Sequence, residues 1–156
     1  MAYPTRVLNH GRGRYTTTSA AAAPQNLPKG TYGIEFSPLT GYSLTTMDDL
    51  APPSYRVYGR RDATISKILR TYSAMNRSLG VLFEGDKGIG KSSTTVELAR
   101  QARDLFNLPV VFVNHDTPGV ADFLAELGEC VIVFDEFEKN FLNSRDGDSQ
   151  SQFLSL

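Results

Sequence analysis

A single glycine-rich segment, residues 85–92, restricts the fold of this chain more than its other features do. Its sequence, Gly-Asp-Lys-Gly-Ile-Gly-Lys-Ser, matches the pattern G-x-x-x-x-G-K-[ST] at every fixed position. An apolar run at 81–84 precedes it, and helical periodicity follows over about residues 91–105. A strand, a glycine-rich loop and a helix in this order are typical of a phosphate-binding loop. The alternative is a chance glycine-rich turn, which the flanking pattern disfavours.

Each residue type in this loop suits the binding of an anion. Glycine lets the backbone approach a phosphate closely, and the loop N–H groups and the N-terminus of the next helix form a positive cradle. Lys91 adds a full positive charge, and the Ser92 hydroxyl is a ligand for Mg²⁺. The residues predicted to bind a nucleotide are Gly85, Asp86, Lys87, Gly88, Ile89, Gly90, Lys91, Ser92 and Ser93.

Two carboxylates, Asp135 and Glu136, directly follow an apolar run at 131–134. Ligands of parallel sheets bind at the carboxyl ends of the strands, so we expect this pair beside the phosphate loop. There Asp135 is expected to hold Mg²⁺, and Glu136 to orient and deprotonate an attacking water. A strand end of this kind is otherwise often a solvated edge. A water-activating acid favours an ATPase over a kinase, because a kinase must exclude water.

Apolar runs that alternate with helical patterns predict the fold class. A helix is predicted from about Asp62, a second over about residues 91–105 with Leu98, Ala102 and Leu105 on one face, and a third from Thr117-Pro118 to Gly128. Strands are predicted at 81–84, 110–113 and 130–134. Because these strands are apolar throughout, they predict a parallel sheet covered by helices on both faces, a three-layer α/β/α arrangement.

The N-terminal residues differ from the rest of the chain. Residues 1–30 carry four basic side chains (Arg6, Arg12, Arg14 and Lys29), no acidic one, and few large apolar groups. This composition predicts a flexible basic arm, which is either a solvated tail or a binding arm for nucleic acid or another acidic partner. Residues 31–55 are predicted to be an extended segment across the domain, and residues 56–156 the domain itself.

The composition excludes several classes of protein. Because 16 Lys+Arg face 17 Asp+Glu, a protein that coats nucleic acid generally is excluded. A single cysteine, Cys130, cannot form an internal disulfide, which indicates a reducing compartment. The longest apolar run, 130–134, is far below the about 20 residues that span a bilayer, and no signal sequence is recognised. We therefore expect a cytoplasmic protein without a membrane partner.

The phosphate loop (Walker A), the following helix and strand, and the acidic pair (Walker B) stand in the order found in AAA+ ATPases. Residues 55–156 therefore resemble this family of P-loop NTPases, and the segments 80–88 and 135–139 are similar to phage-encoded members. The resemblance implies a Mg²⁺-dependent ATPase that remodels a protein or nucleic acid. It also implies a homo-oligomeric ring, with an arginine finger from the neighbouring subunit, in the host cytoplasm if the protein is phage-encoded.

The resemblance adds two groups of site residues. Asn114 matches the polar residue that restrains the catalytic glutamate, although an asparagine that begins a turn is the alternative. Val57, Tyr58 and Gly59 match the adenine-binding segment, with Tyr58 as a core residue the alternative.

The sequence departs from the family at two points. It lacks an aromatic-Gly pair between residues 110 and 128, and it stops before the strand that separates the phosphate-loop strand from the Asp135 strand in this family. We expect an N-terminal portion of a longer protein, a partner that fills the gap, or a rearranged sheet. Two alternative functions remain: a small-molecule P-loop kinase and a non-catalytic ATP-switched assembly module. A variant of the remodelling ATPase is a replication or helicase-loading ATPase that grips DNA.

Overall fold

The computed structural model describes residues 6–9, 13–18, 27–51, 61–114 and 118–134. Within these ranges the chain forms a mixed α/β structure with one open sheet and three helices. The elements in chain order are β1 (Arg6–Asn9), β2 (Arg14–Thr18), β3 (Thr31–Ser37), β4 (Gly41–Thr46), α1 (Arg61–Ala74), α2 (Lys91–Phe106), β5 (Val110–Val113), α3 (Val120–Glu126) and β6 (Val131–Phe134).

The sheet is parallel in one half and antiparallel in the other. Its strand order is β1-β2-β4-β3-β5-β6, with β3, β5 and β6 parallel and the remaining neighbours antiparallel. The prediction of a parallel sheet is therefore correct only for β3, β5 and β6. A short turn joins β3 to β4, and so short a connection permits only antiparallel pairing.

The prediction of a flexible arm is wrong for residues 6–9 and 14–18, which are β1 and β2 of the sheet. Backbone hydrogen bonds pair β1 with β2 and β2 with β4. Val7 of β1 is buried in the same core cluster as Leu44 of β4. In the described part of the predicted extended segment, residues 31–51, β3 and β4 are integral strands of the sheet rather than a strap across a finished domain. Composition underestimated this half because its strands are stabilised by pairing with distant segments, while only a few of its apolar residues, such as Tyr32 and Leu44, are fully buried in the core.

Helices cover both faces of the sheet, as the three-layer prediction requires. Successive side chains of a strand point to opposite faces. On one face, Val111 and Val113 of β5 pack in a cluster with Leu124 and its neighbours in α3. On the other face, Val110 packs in a cluster with Ala99 of α2. Helix α1 covers α2 through a cluster that joins Ile65 and Leu69 to Ala102.

Helices α1 and α2 run in the same direction, and α2 runs opposite to β6. Near their starts Arg61 contacts Ser93, and near their ends the rings of Tyr72 and Phe106 lie 4.9 Å apart between centroids. Along β6, Val131 packs with Ala102 and the later Val133 packs with the earlier Ala99. The N-terminus of α2 therefore points toward the edge at which β5 and β6 end.

The prediction of a strand at residues 81–84 is wrong. These residues form no strand, and Val81 and Leu82 are 40% and 69% exposed. A strand requires a neighbour with which to exchange hydrogen bonds. In the described part of the chain β6 is the last strand on that side, and it pairs only with β5.

The other elements agree with the predictions except at two positions. Helices α1 and α2 and strands β5 and β6 are confirmed to within one or two residues. Helix α3 begins at Val120 after Gly119 rather than at Pro118, and Thr117 lies outside the described residues. Leu105 is 64% exposed, and Phe106 packs against the α1–α2 cluster in its place.

A buried arginine fastens α2 to the start of β3. The Arg103 side chain is 6% exposed, and it forms an ion pair with Asp49 and a 3.1 Å ion pair with Asp104. Its guanidinium also lies 3.5 Å from the Thr31 hydroxyl. Removing one partner from such a network leaves a buried charge and is strongly destabilising.

None of the helices in the described ranges is long and apolar enough to cross a membrane.

Candidate functional site

The phosphate-loop motif forms a closed turn that leads directly into α2. Lys91, the first residue of the helix, extends back over the loop and donates hydrogen bonds from Nζ to the carbonyl oxygens of Gly85 at 2.6 Å and Asp86 at 3.0 Å. An ammonium group has three N–H donors. After these two bonds, one donor of Lys91 remains for an anion held against the loop.

Two glycines make this turn possible. Gly85 has a φ of 141°, and a Cβ added there would lie 2.4 Å from Cδ1 of Ile89. Gly90, the N-cap residue of α2, has a φ of 93°. Both are conformations that residues with a side chain rarely adopt. The spacing of glycines in the motif is therefore matched by backbone geometry in the structure.

The first turn of α2 favours negative charge. The amide of Thr94 donates to the carbonyl oxygen of Gly90 at 2.9 Å, and the Thr94 hydroxyl donates to the same oxygen. The turn contains no acidic side chain, and Gly90 provides no side-chain cap. The positive end of the helix dipole therefore faces the loop, and no carboxylate in the first helical turn opposes an anion there.

One neighbour of this turn was not predicted from the sequence. Arg61, the first residue of α1, donates from Nη1 to Oγ of Ser93 at 3.0 Å. The two residues are 32 positions apart, and no motif or spacing relates them. Only the parallel packing of α1 on α2 brings this guanidinium to the start of the phosphate-loop helix.

Helix α2 contains a group of polar side-chain contacts on the C-terminal side of its first turn. Arg100 forms two hydrogen bonds to the Glu97 carboxylate, at 2.7 Å and 3.0 Å, and Gln101 donates a third at 2.7 Å. The hydrogen bonds from Arg100 keep the pKa of Glu97 below its usual value. Glu97 is 7% exposed, so this buried carboxylate is paired by its own helix.

Of the remaining predicted site residues, the structure describes Asn114. Asn114 is exposed and directly follows Val113, which pairs in register with Phe134. Asn114 thus lies at the edge where β5 and β6 end, the edge toward which α2 points. The other predicted positions lie outside the described residues: Val57, Tyr58, Gly59, Asp135 and Glu136.

The described part of a magnesium site is limited to Ser92, whose hydroxyl oxygen is a suitable ligand for Mg²⁺. Ser92 is exposed in the first turn of α2, next to Lys91. Across the described ranges, no group of three or more His, Cys, Asp and Glu side chains is placed to hold a metal ion.

A cleft lies away from this loop, between the β2–β4 side of the sheet and α3. Its lining includes Tyr42, Asp122 and Glu126. Glu126 accepts a 2.8 Å hydrogen bond from Thr17, and Tyr42 donates to the carbonyl oxygen of Pro118. Because its charged groups are acidic, this cleft does not suit a phosphate.

Comparison of the chain with protein-family models, with curated proteins and with solved structures gives no match.

Proposed function

We propose that this chain binds ATP through residues 85–92 and forms part of the core of a Mg²⁺-dependent AAA+ ATPase. The observation that carries the proposal is the closure of the loop by Lys91, whose Nζ bonds the carbonyl oxygens of Gly85 and Asp86. This closure lies at the N-terminus of α2, where the helix dipole favours an anion. The complete G-x-x-x-x-G-K-S motif supports the same proposal.

The fit of a triphosphate to this loop is supported by its chemistry. Gly85 has a φ of 141°, a conformation that residues with a side chain rarely adopt, so the backbone itself lines the turn. Lys91 supplies the positive charge, and the Ser92 hydroxyl supplies a hard oxygen for Mg²⁺. When bound, the metal would neutralise charge on the terminal phosphates. Asp135 is proposed as a further ligand of the metal.

Hydrolysis is the reaction that we propose for this site. Glu136 orients a water and accepts its proton, while Lys91 holds the terminal phosphates. Asn114 restrains Glu136 until a partner binds, and Val57, Tyr58 and Gly59 contact the adenine. The active assembly is a ring in which a neighbouring subunit supplies an arginine finger, and its substrate is a protein or nucleic acid.

Calorimetric titration with ATP and Mg²⁺ tests nucleotide binding. Lys91→Met is expected to weaken ATP affinity by roughly 10- to 100-fold, because a charge-assisted hydrogen bond to phosphate is lost. Lys67→Met is the matched control, since Lys67 is exposed on α1, and its affinity is expected to equal that of the parent. Equal binding by Lys91→Met and the parent contradicts the proposal.

Phosphate release without an acceptor separates the proposed ATPase from the alternatives. Release by the parent supports hydrolysis, whereas strict dependence on an added acceptor favours a small-molecule kinase. Binding without release, combined with a change in oligomer size on addition of ATP and Mg²⁺, favours the assembly module.

A further inference from the structure

We infer that Arg61 is a positioning residue for the triphosphate, acting on the phosphate loop through Ser93. The inference rests on the proposed function and names a residue that lies outside the loop motif. Its basis is the 3.0 Å hydrogen bond from Arg61 Nη1 to Ser93 Oγ, which joins the first residue of α1 to the first turn of α2.

The position of Ser93 makes this contact relevant to the loop. Ser93 is the third residue of α2 and follows Ser92 directly. A hydrogen bond to its side chain limits how far the first turn can fray or rotate. That turn carries Lys91, whose ammonium closes the loop. Arg61 therefore supports the element that presents the loop amides and Lys91 to an anion.

The charge of Arg61 acts in the same direction. A guanidinium is permanently protonated, so Arg61 adds a fixed positive charge beside the N-terminus of α2. The buried carboxylate of Glu97 forms its hydrogen bonds with Arg100 and Gln101. The charge of Arg61 is still felt at Glu97, where it contributes to lowering the pKa.

One donor of the Arg61 guanidinium also lacks an acceptor in the described part of the chain. This donor is Nε, which is buried and has no hydrogen-bond partner there. Buried donors without an acceptor are uncommon and unfavourable, so each one requires an explanation. Three features together distinguish Arg61 from an exposed surface arginine: its hydrogen bond to Ser93, a buried Nε without an acceptor in the described ranges, and its position where two parallel helices begin beside the loop.

Titration with ATP and with inorganic triphosphate, each with Mg²⁺, tests the inference in a double-mutant cycle. Arg61→Met and Ser93→Ala are each expected to weaken both ligands, by about 10-fold for Arg61→Met. The double variant is expected to bind no more weakly than Arg61→Met, because both changes remove the same contact. Arg61→Lys keeps the charge and is expected to recover part of the loss. Arg70→Met, an exposed arginine of α1, is the control and is expected to bind as the parent does.

The other possible results of these titrations distinguish failure of the inference on Arg61 from failure of the proposed function. If the parent binds ATP and Arg61→Met binds it equally well, the inference is overturned while the proposed function stands. If the two single losses add in the double variant, action through Ser93 is overturned. If Arg61→Met does not fold, Arg61→Lys and Ser93→Ala decide the question by the same criteria. If the parent binds neither ATP nor triphosphate, the proposed function fails and the inference fails with it.

Discussion

The ammonium group of Lys91 donates a 2.6 Å hydrogen bond to the carbonyl oxygen of Gly85, six residues earlier in the chain. This bond makes the loop a ring closed by a side chain instead of an open turn. The closing residue is also the first residue of α2, so the loop and the positive end of the helix share one charged group.

Gly85→Ala is expected to weaken ATP binding by about 10-fold or more. Alanine is strained at a φ of 141°, which is worth about 1–3 kcal/mol, and its Cβ would lie 2.4 Å from Ile89 Cδ1. Titration calorimetry measures the effect. Gly80→Ala is the matched control, because a Cβ there meets nothing within 4 Å, and it is expected to leave affinity unchanged.

A second variant separates backbone strain from the side-chain clash. Adding Ile89→Ala to Gly85→Ala removes the clash but leaves the φ of residue 85 unsuitable for alanine. We expect affinity to stay low in this double variant. Full recovery of ATP affinity contradicts the explanation from backbone conformation.

Glu136→Gln is expected to bind ATP as tightly as the parent and to lose turnover by about 100-fold or more, since glutamine cannot accept the proton of an attacking water. Glu138→Gln, two residues later, is the control and is expected to keep full turnover. Phosphate release under saturating ATP and Mg²⁺ measures both. Turnover equal to that of the parent in Glu136→Gln removes Glu136 as the proposed base.

The stability of the protein is expected to depend on pH through Glu97. Hydrogen bonds from Arg100 lower the pKa of Glu97 in the folded protein. The charged form is therefore stabilising above the unfolded pKa of about 4.3, and this contribution is lost as pH falls through the lower folded pKa. At pH 7, Glu97→Gln is expected to reduce the free energy of unfolding by about 1–2 kcal/mol.

Urea unfolding at several pH values checks this prediction. The difference between the parent and Glu97→Gln is expected to shrink as pH falls below about 4 and to vanish once Glu97 is protonated in the folded state. Glu84→Gln, at an exposed position, is expected to differ little from the parent at every pH. A constant difference for Glu97→Gln across the acidic range contradicts the assigned pairing.

Replacement of leucine by alanine is expected to have very different effects on stability at a buried position and at an exposed one. Leu124→Ala removes a side chain that is 1% exposed and is expected to reduce the free energy of unfolding by about 2–5 kcal/mol. Leu82→Ala, at a position that is 69% exposed, is expected to change it by less than about 0.5 kcal/mol. Chemical denaturation measures both, and a large loss in Leu82→Ala indicates that residues 81–84 form a buried strand after all.

Several features of the fold were predictable because they depend on residues close in sequence. The apolar stripe of α1, the helix that follows the loop, and the apolar strands β5 and β6 each lie within one short window. Opposite faces of β5 also follow from the alternation of its side chains, which pack Val110 and Val111 into different clusters.

The candidate site was predictable in part for the same reason. Residues 85–92 are contiguous, so their glycine spacing predicted a loop whose positive φ angles at Gly85 and Gly90 are now visible. Their action on a nucleotide, and that of Asp135 and Glu136, stays a prediction. Arg61 was not predictable, because its partner Ser93 is 32 residues away and meets it only when α1 packs on α2.

Local pattern was thus sufficient for the phosphate-loop motif, for the three helices and for strands β5 and β6, since each is specified by backbone preferences and side-chain periodicity over a few residues. Long-range packing was needed to place β1 and β2 in the sheet, to leave residues 81–84 without a strand, and to bring Arg61 to α2. The physical reason is that a strand is stable only beside a neighbour, and a distant contact forms only when two elements pack. Neither condition can be read from the residues of one segment.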